Sequence, residues 1–268
     1  MAVIIDAARS VISTKTTRVS ASPQVLVIDG ADIKAAFAAG FADFKAAPQF
    51  GLFFGGLYAA AGLVLCWAAF VSGWVFLVFP LAAGFVLVGP FVAVGLYEVS
   101  RRREQGLPLS WRAILGAIRG QSQREIVMLG FVLTFVLVAW VKLATLLYAL
   151  TFGLHTVSPR DLLDVILTTP RGLVFLVAGN ALGALIAFVV FAISVMSFPC
   201  LLDRDVDFAT GIATSIEAVK VNPGPMFAFA LAVAGLLAVA VAPLFLLLPV
   251  VLPVLGHATW HLYRRTIA

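Results

Sequence analysis

The stretch IVMLGFVLTFVLVAWVKLATLLYALTF, residues 126–152, contains a single charged side chain, Lys142. A helix needs about 20 apolar residues to cross the hydrocarbon core of a bilayer, and in lipid the backbone must pair its own polar groups. An uninterrupted apolar run meets both conditions as a helix. The stretch therefore predicts a transmembrane helix in an integral membrane protein.

The composition of the whole chain agrees with this interpretation. Of the 268 residues, 62% are hydrophobic and 12% are charged, whereas roughly a quarter of a soluble domain is charged. A soluble globular domain is therefore excluded. Residues 1–49 lack a short apolar core followed by a small-residue cleavage site, so we expect no cleaved signal peptide, and the first span acts as the insertion signal.

Further apolar runs lie at 50–72, 75–99, 172–200 and 225–263. The last run is too long for one ordinary span and is broken by Pro243, Pro249 and Pro253, so we expect two short helices with a turn near 240–243. One span followed by a re-entrant segment stays open as an alternative. The predicted fold is an all-α polytopic bundle of about six transmembrane helices, with a cytoplasmic tail at 1–31 and a single membrane domain at 32–268.

The basic residues predict the orientation of this bundle. With six spans, 15 lysines and arginines lie on the side of the termini, and only Arg160 and Arg171 lie on the opposite side. Cytoplasmic loops carry the excess of Lys and Arg, so we expect cytoplasmic termini in a bacterial inner (plasma) membrane. A five-span chain, with Arg264 and Arg265 outside, gives a weaker asymmetry.

Two segments suggest an internal repeat. DIKAAFAAGFADFKAAP (32–48) aligns without a gap with DFATGIATSIEAVKVNP (207–223), and LSWRAILGAIRGQ (109–121) also carries an apolar stripe at helical spacing before a hairpin. We therefore predict three parallel repeats, each an interfacial amphipathic helix followed by a transmembrane hairpin. Their ranges are about 32–103, 109–204 and 207–265. The alternative is a chance likeness between amphipathic segments that end at proline.

Three sets of residues are candidates for a functional site. Lys142 is an ionisable residue within a span, which suggests either an interior functional role or snorkelling to the outer interface. Glu98 and Arg101, at i and i+3, are expected to form an ion pair. His257 and His261 share a helix face as metal ligands do, but a metal needs further ligands, and an interfacial role beside aromatic residues is the commoner one.

No combination of nucleophile, base and orienting residue stands out, and a phosphate-binding loop is absent from the sequence. Cys66 and Cys200 lie far apart, without metal-binding spacing. We therefore expect no enzymatic activity and no cofactor. The expected partners are the lipid bilayer and a membrane protein complex, and nucleic acid is not expected.

Three segments resemble a family of uncharacterised bacterial integral membrane proteins: FKAAPQFGLFFGGLYAAAG, FPLAAGFVLVGPFVAVGLYEVSRRREQGLPLSW and LPVLGHATWHLYRR. Some members of that family carry the name of a cytochrome c oxidase subunit. A catalytic haem-copper subunit needs about six histidines, and this chain has three. The resemblance therefore implies at most an accessory or assembly role beside such an oxidase.

Two functional hypotheses follow. The first is a non-enzymatic accessory, assembly or scaffold protein beside a membrane complex such as a respiratory oxidase. The second is a small transporter or channel with a path near the pseudo-threefold axis of the repeats. An axis filled by apolar side chains favours the first, and a polar, water-accessible axis favours the second.

Overall fold

The computed structural model describes residues 23–74, 78, 81–82, 85, 89, 93–117, 122–153 and 159–268. Regular structure in these ranges is helical, apart from an isolated antiparallel bridge between Val25 and Ile267. The helices are α1 (Gly30–Ala46), α2 (Pro48–Val71), α3 (Val94–Glu104), α4 (Trp111–Leu115), α5 (Ser122–Phe152), α6 (Pro159–Thr168), α7 (Pro170–Ser194), α8 (Ser197–Asp203), α9 (Phe208–Val221), α10 (Pro223–Val241) and α11 (Leu248–Thr266).

Local sequence signals explain where several helices begin. The Asp29 side chain accepts from the backbone of Asp32, whose own side chain accepts from Asp29, so the two residues form a capping box at the start of α1. Asp207 caps α9 by accepting from the backbone of Thr210. Proline occupies the first turn of α2, α7 and α10, where its missing N–H is not needed.

Four helices are long and apolar enough to cross a membrane by length and composition. They are Pro48–Val71, Gln123–Phe152, Pro170–Asp203 and Pro223–Val241. They coincide with the predicted first, third, fourth and fifth spans. The chain is therefore described as an all-helical integral membrane protein with several membrane-spanning helices.

The predicted second span, 75–99, falls largely on residues outside the described ranges. Its end is α3, which continues to Glu104. The run at 225–263 does divide into two helices, α10 and α11, joined by a turn over 242–247. Helix α11, the predicted sixth span, is not among the four apolar helices, because its second half carries two histidines and two arginines.

Helix α11 lies at the centre of the fold, against α1, α2, α3, α8 and α10. Two glycines allow the closest approaches to it. A Cβ on Gly40 of α1 would lie 2.5 Å from the Ala258 backbone nitrogen, and a Cβ on Gly55 of α2 would lie 2.7 Å from the Pro249 Cα. Small side chains let the helix backbones approach closely in this way.

Both ends of the described chain lie on one side of the bundle. Backbone bonds join Leu26 N–H to the Thr266 carbonyl at 2.7 Å and Ala268 N–H to the Gln24 carbonyl at 2.9 Å. Asn222 holds the same segment, because its Oδ1 accepts from Ile28 N–H and its Nδ2 donates to the Leu26 carbonyl, both at 2.9 Å. We call this the termini side. The predicted tail at 1–31 thus contains a segment, 24–28, that is paired with the C-terminus.

Two segments differ from the expected pattern. The predicted amphipathic segment 109–121 contains α4, a helix of five residues that ends at Leu115, and residues 118–121 lie outside the described ranges. Helix α6 was not predicted. It packs against the start of α7, where a Cβ on Gly172 would lie 2.1 Å from the Val165 carbonyl oxygen, so only glycine fits this corner.

Candidate functional site

Acidic and basic side chains gather at the termini side, where α1, α3, α8 and α11 meet. Each of these four helices contributes ionisable side chains to the ion pairs there. We call this set the ion-pair layer. Its acidic members are Asp32, Asp43, Glu98, Glu104 and Asp203, and its basic members are Arg101, Arg102, Arg103, His261, Arg264 and Arg265.

Glu98 and Arg101 form the predicted i, i+3 ion pair. Arg101 donates from Nε and Nη2 to the two Glu98 carboxylate oxygens, at 2.7 and 3.0 Å. Arg102 adds a longer contact of 3.4 Å from Nη1. Because Glu98 is only 2% exposed, two guanidinium groups compensate the burial of its charge. The pair lies within α3 and neutralises the end of that helix.

Asp43 joins three helices. Arg103 of α3 donates from Nε to its Oδ1 at 2.7 Å, and His261 Nε2 of α11 lies 2.8 Å from its Oδ2. Burial alone would raise the pKa of Asp43, but hydrogen bonds from His261, Ser100 and Arg103 outweigh it and lower the pKa to about 2. The carboxylate is therefore ionised at neutral pH and holds α1 against α3 and α11.

His257 reaches the same carboxylate through a hydroxyl. Its Nδ1 lies 2.7 Å from Ser100 Oγ, and both side chains are fully buried. A hydrogen bond from Ser100 also contributes to the lowered pKa of Asp43. The tautomer of the imidazole decides whether Ser100 Oγ or His257 Nδ1 donates in their contact. His257 Nε2 is buried, and within the described part of the chain it has no hydrogen-bond partner.

The two candidate metal ligands thus share a helix face, as their spacing predicts, and both point toward Asp43. His261 binds the carboxylate directly, and His257 binds it through Ser100. No group of three or more His, Cys, Asp or Glu residues that could hold a metal ion occurs in the described part of the chain. The arrangement links helices through the imidazoles.

A second cluster in the layer joins α3, α8 and α11. Arg264 donates to Glu104 at 3.0 Å and to Asp203 at 3.3 Å. Trp260 Nε1 donates to Glu104 at 3.1 Å, and the Tyr263 hydroxyl donates to Asp203 at 2.9 Å. Both aromatic side chains are fully buried. These two aromatic side chains thus fill the centre, and their polar atoms connect it to the surrounding carboxylates.

Lys142 lies away from this layer, on the exposed side of α5. The structure therefore does not place its side chain in the interior of the described bundle. A lysine on the surface of a membrane helix reaches the interface by extending its methylene chain along apolar surface.

The sequence pointed to Glu98, Arg101, His257 and His261, but not to Asp43, which organises the layer. Asp43 follows Ala36 and Gly40 on the buried face of α1. An acidic residue at i+7 and i+3 from two small buried residues is the signal that could have identified it. Its partner Arg103 lies 60 positions away in the chain, so no local spacing could have paired them.

Chemically, the layer consists of charges that are already neutralised by protein groups. Its carboxylates accept from arginine, histidine or aromatic donors, and each distance is typical of a hydrogen bond or ion pair. A reactive nucleophile beside a free base does not occur among these contacts. The geometry serves to fix the ends of the four helices relative to one another.

One family model matches the chain. The DUF2189 family, described as a predicted integral membrane protein, matches residues 78–203, which include α3, α5 and α7. This likeness agrees with the membrane helices of the fold. No curated protein and no solved structure matches the chain.

Proposed function

We propose that the chain is a non-enzymatic accessory or assembly protein that acts as a rigid scaffold beside a membrane protein complex in a bacterial inner membrane. The observation that carries this proposal is the centre of the termini side. Leu96, Phe198 and Trp260, one from each of α3, α8 and α11, are fully buried there within one hydrophobic cluster. A centre filled by large side chains supports a packed scaffold.

We also propose that the three predicted repeats are arranged around one axis, and the contacts between helices support this arrangement. In each predicted unit, the interfacial helix packs on the second membrane helix of the preceding unit. Thus α1 lies on α11, α4 on α3 and α9 on α8, while α3, α8 and α11 contact one another at the centre. A cyclic pattern of this kind is expected for three parallel repeats around an axis along the membrane normal.

The ion-pair layer supports a static role for this centre. Arg103, Arg264 and Arg265 are bound to carboxylates of neighbouring helices, and Asp43 joins α1, α3 and α11. A carrier that alternates between two states by moving these helices would have to separate several of these pairs, including those of the Asp43 carboxylate, whose side chain is only 9% exposed, and a buried charge left without its partner is unfavourable. The transporter hypothesis therefore requires another part of the molecule to move.

The outer surface is suited to contact with other hydrophobic surfaces. Apolar side chains point outward along the spans, and Phe135 of α5, Leu150 of α5 and Val177 of α7 are each at least 70% exposed. Lipid acyl chains cover such a surface in the membrane, and helices of a partner complex can replace them. We propose a respiratory oxidase as the complex to test first, because of the family resemblance of the sequence. We further propose that the termini side faces the cytoplasm.

The test is purification of the tagged full chain from its native membrane in mild detergent, followed by identification of co-purifying proteins and a haem spectrum. Oxidase subunits in stoichiometric amount, with a haem signal, are the expected result. A matched preparation should carry Asp43→Asn, which weakens the scaffold without changing its lipid-facing surface, and should recover less of the complex. A colourless, partner-free protein that conducts solutes in liposomes would overturn the proposal in favour of transport.

A further inference from the structure

The described cations of the termini side include two groups. Those of the ion-pair layer are bound to acids, but a second set lies at the border of the membrane helices. Lys45 is three residues before the first residue of α2, Lys220 is three residues before that of α10, and Arg124 is in the first turn of α5. We call Lys45, Arg124 and Lys220 the cationic rim.

The rim cations are exposed and lack strong acidic partners. Within the described ranges, no carboxylate lies within 4.0 Å of the Lys45 or Lys220 ammonium group. The Arg124 side chain is 82% exposed and only reaches Glu125 at 4.0 Å. Glu125 in turn accepts from the backbone N–H of Phe208 at 2.9 Å. The positive charges of the rim are therefore available to a ligand.

Each rim cation adjoins exposed apolar surface. Lys45 Nζ lies 5.0 Å from the centroid of the Phe41 ring, which is itself 48% exposed. Arg124 and Gln123 line a shallow groove together with Val127 and Met128. Val221, next to Lys220, is 38% exposed. A ligand that fits these surfaces carries a negative group and a hydrophobic part.

We infer that the cationic rim binds the headgroups of anionic phospholipids, one near the start of each of α2, α5 and α10. A phospholipid has both required parts, since its phosphate can bind the cation while its acyl chains lie along the apolar helix below. The three cations adjoin the starts of three different membrane helices. This arrangement fits separate headgroups better than one soluble anion or a single nucleic acid.

The rim also differs from a general excess of positive charge. The arginines nearest the centre are held by carboxylates, as in the pairs of Arg103 with Asp43 and Arg265 with Asp32, at 2.7 and 2.9 Å. The rim cations, in contrast, lack such a partner within the described ranges, apart from the 4.0 Å approach of Arg124 to Glu125. A basic side chain near an anionic membrane surface contributes about 1 kcal/mol of attraction, which is roughly fivefold in affinity.

The experiment uses the purified full chain in mixed micelles with equal amounts of phosphatidylglycerol and phosphatidylcholine, and native mass spectrometry counts the lipids retained. The wild-type chain should retain phosphatidylglycerol in preference to phosphatidylcholine. Lys45→Gln should lower the preference of its own site about fivefold, so that about one fewer phosphatidylglycerol is retained, and Lys45→Gln with Lys220→Gln should retain about two fewer. The double Lys→Arg variant keeps both charges and should retain the preference, which separates loss of charge from loss of fold.

Arg265→Gln is the matched control, because Arg265 is a cation of the same side whose charge is already bound by Asp32 at 2.9 Å. It should leave the preference unchanged. An equal decrease in this control, or equal retention of the two lipids by the wild-type chain, would overturn the inference. Displacement of the lipid by millimolar inorganic phosphate would also overturn it, since the ligand would then be a soluble anion.

Discussion

Gly40 of α1 and Ala258 of α11 are in direct backbone contact, so that a Cβ on Gly40 would lie 2.5 Å from the Ala258 nitrogen and 2.9 Å from its Cα. A backbone atom cannot move aside as the end of a flexible side chain can. The contact therefore sets the distance between the two helices. It also places Asp43, one turn further along α1, beside His261 of α11.

The first prediction concerns this contact. Gly40→Ala should destabilise the protein by about 1–3 kcal/mol, because an added methyl group in a close-packed interior forces the helices apart. Gly235→Ala in α10 is the control, since a Cβ there meets nothing within 4 Å, and alanine favours a helix by about 1 kcal/mol over glycine. Thermal denaturation in detergent measures both. If Gly235→Ala lost stability and Gly40→Ala did not, the result would contradict the close contact between α1 and α11.

The second prediction concerns the carboxylate that the contact positions. Asp43→Asn should cost about 3 kcal/mol, at the lower end for a broken buried pair, because Arg103 and His261 stay partly exposed and water can solvate them. Asp205→Asn removes an exposed carboxylate from the same side of the bundle and should change stability by less than about 0.5 kcal/mol. Equal melting temperatures for the two variants would show that the Asp43 contacts contribute nothing.

The third prediction is the pH dependence of the same group. The pKa of Asp43 is lowered to about 2 in the folded protein from its ordinary value of 3.8, so its ionised form stabilises the fold. This stabilisation is present above pH 4 and is lost as the pH falls toward 2. The stability advantage of the wild-type chain over Asp43→Asn should therefore shrink across that interval. An advantage independent of pH between 5 and 2 would contradict the lowered pKa.

The sequence predicted the parts of the fold that depend on local composition. The apolar runs at 50–72, 126–152 and 172–200 gave three of the four membrane helices, because burial in lipid needs only length and hydrophobicity. The ion pair of Glu98 with Arg101 was likewise predictable, since i and i+3 share a helix face. These features require no knowledge of how the helices pack.

The central position of α11 could not be predicted in the same way. Its prolines predicted a break in the apolar run and its histidines an interfacial position, whereas the structure buries Pro253 and His257 within the protein. His257 is fully buried, and Pro253 lies against Gly51 of α2. Which helix occupies the centre depends on contacts between distant segments, and those contacts leave no periodic signal in either segment alone.

The fourth prediction concerns the clamp on the N-terminal segment. Asn222→Ala removes both side-chain bonds to residues 26 and 28, which lie 196 and 194 positions away, so hydrogen exchange of the Ile28 amide should become faster. Each lost bond contributes about 1 kcal/mol, and the two together should speed exchange tenfold or more. Asn180→Ala is the control, because that side chain donates only to the carbonyl of Leu176 one turn away. Unchanged protection of the Ile28 amide would show that the bridge between Val25 and Ile267 is enough to hold residues 24–28 in place.

The fifth prediction concerns the membrane topology, which depends on the number of spans. Both ends of the described chain meet at the termini side through Val25 and Ile267. Because we propose that this side faces the cytoplasm, reporters fused at residues 110, 212 and 268 should all report the cytoplasm. A reporter at residue 155, beyond the end of α5, should report the opposite side. The pairing of residues 24–28 with the C-terminus requires an even number of crossings between α1 and α11. A reporter at residue 268 on the outside, with 212 inside, would therefore contradict both the sixth crossing and the observed pairing of the two chain ends.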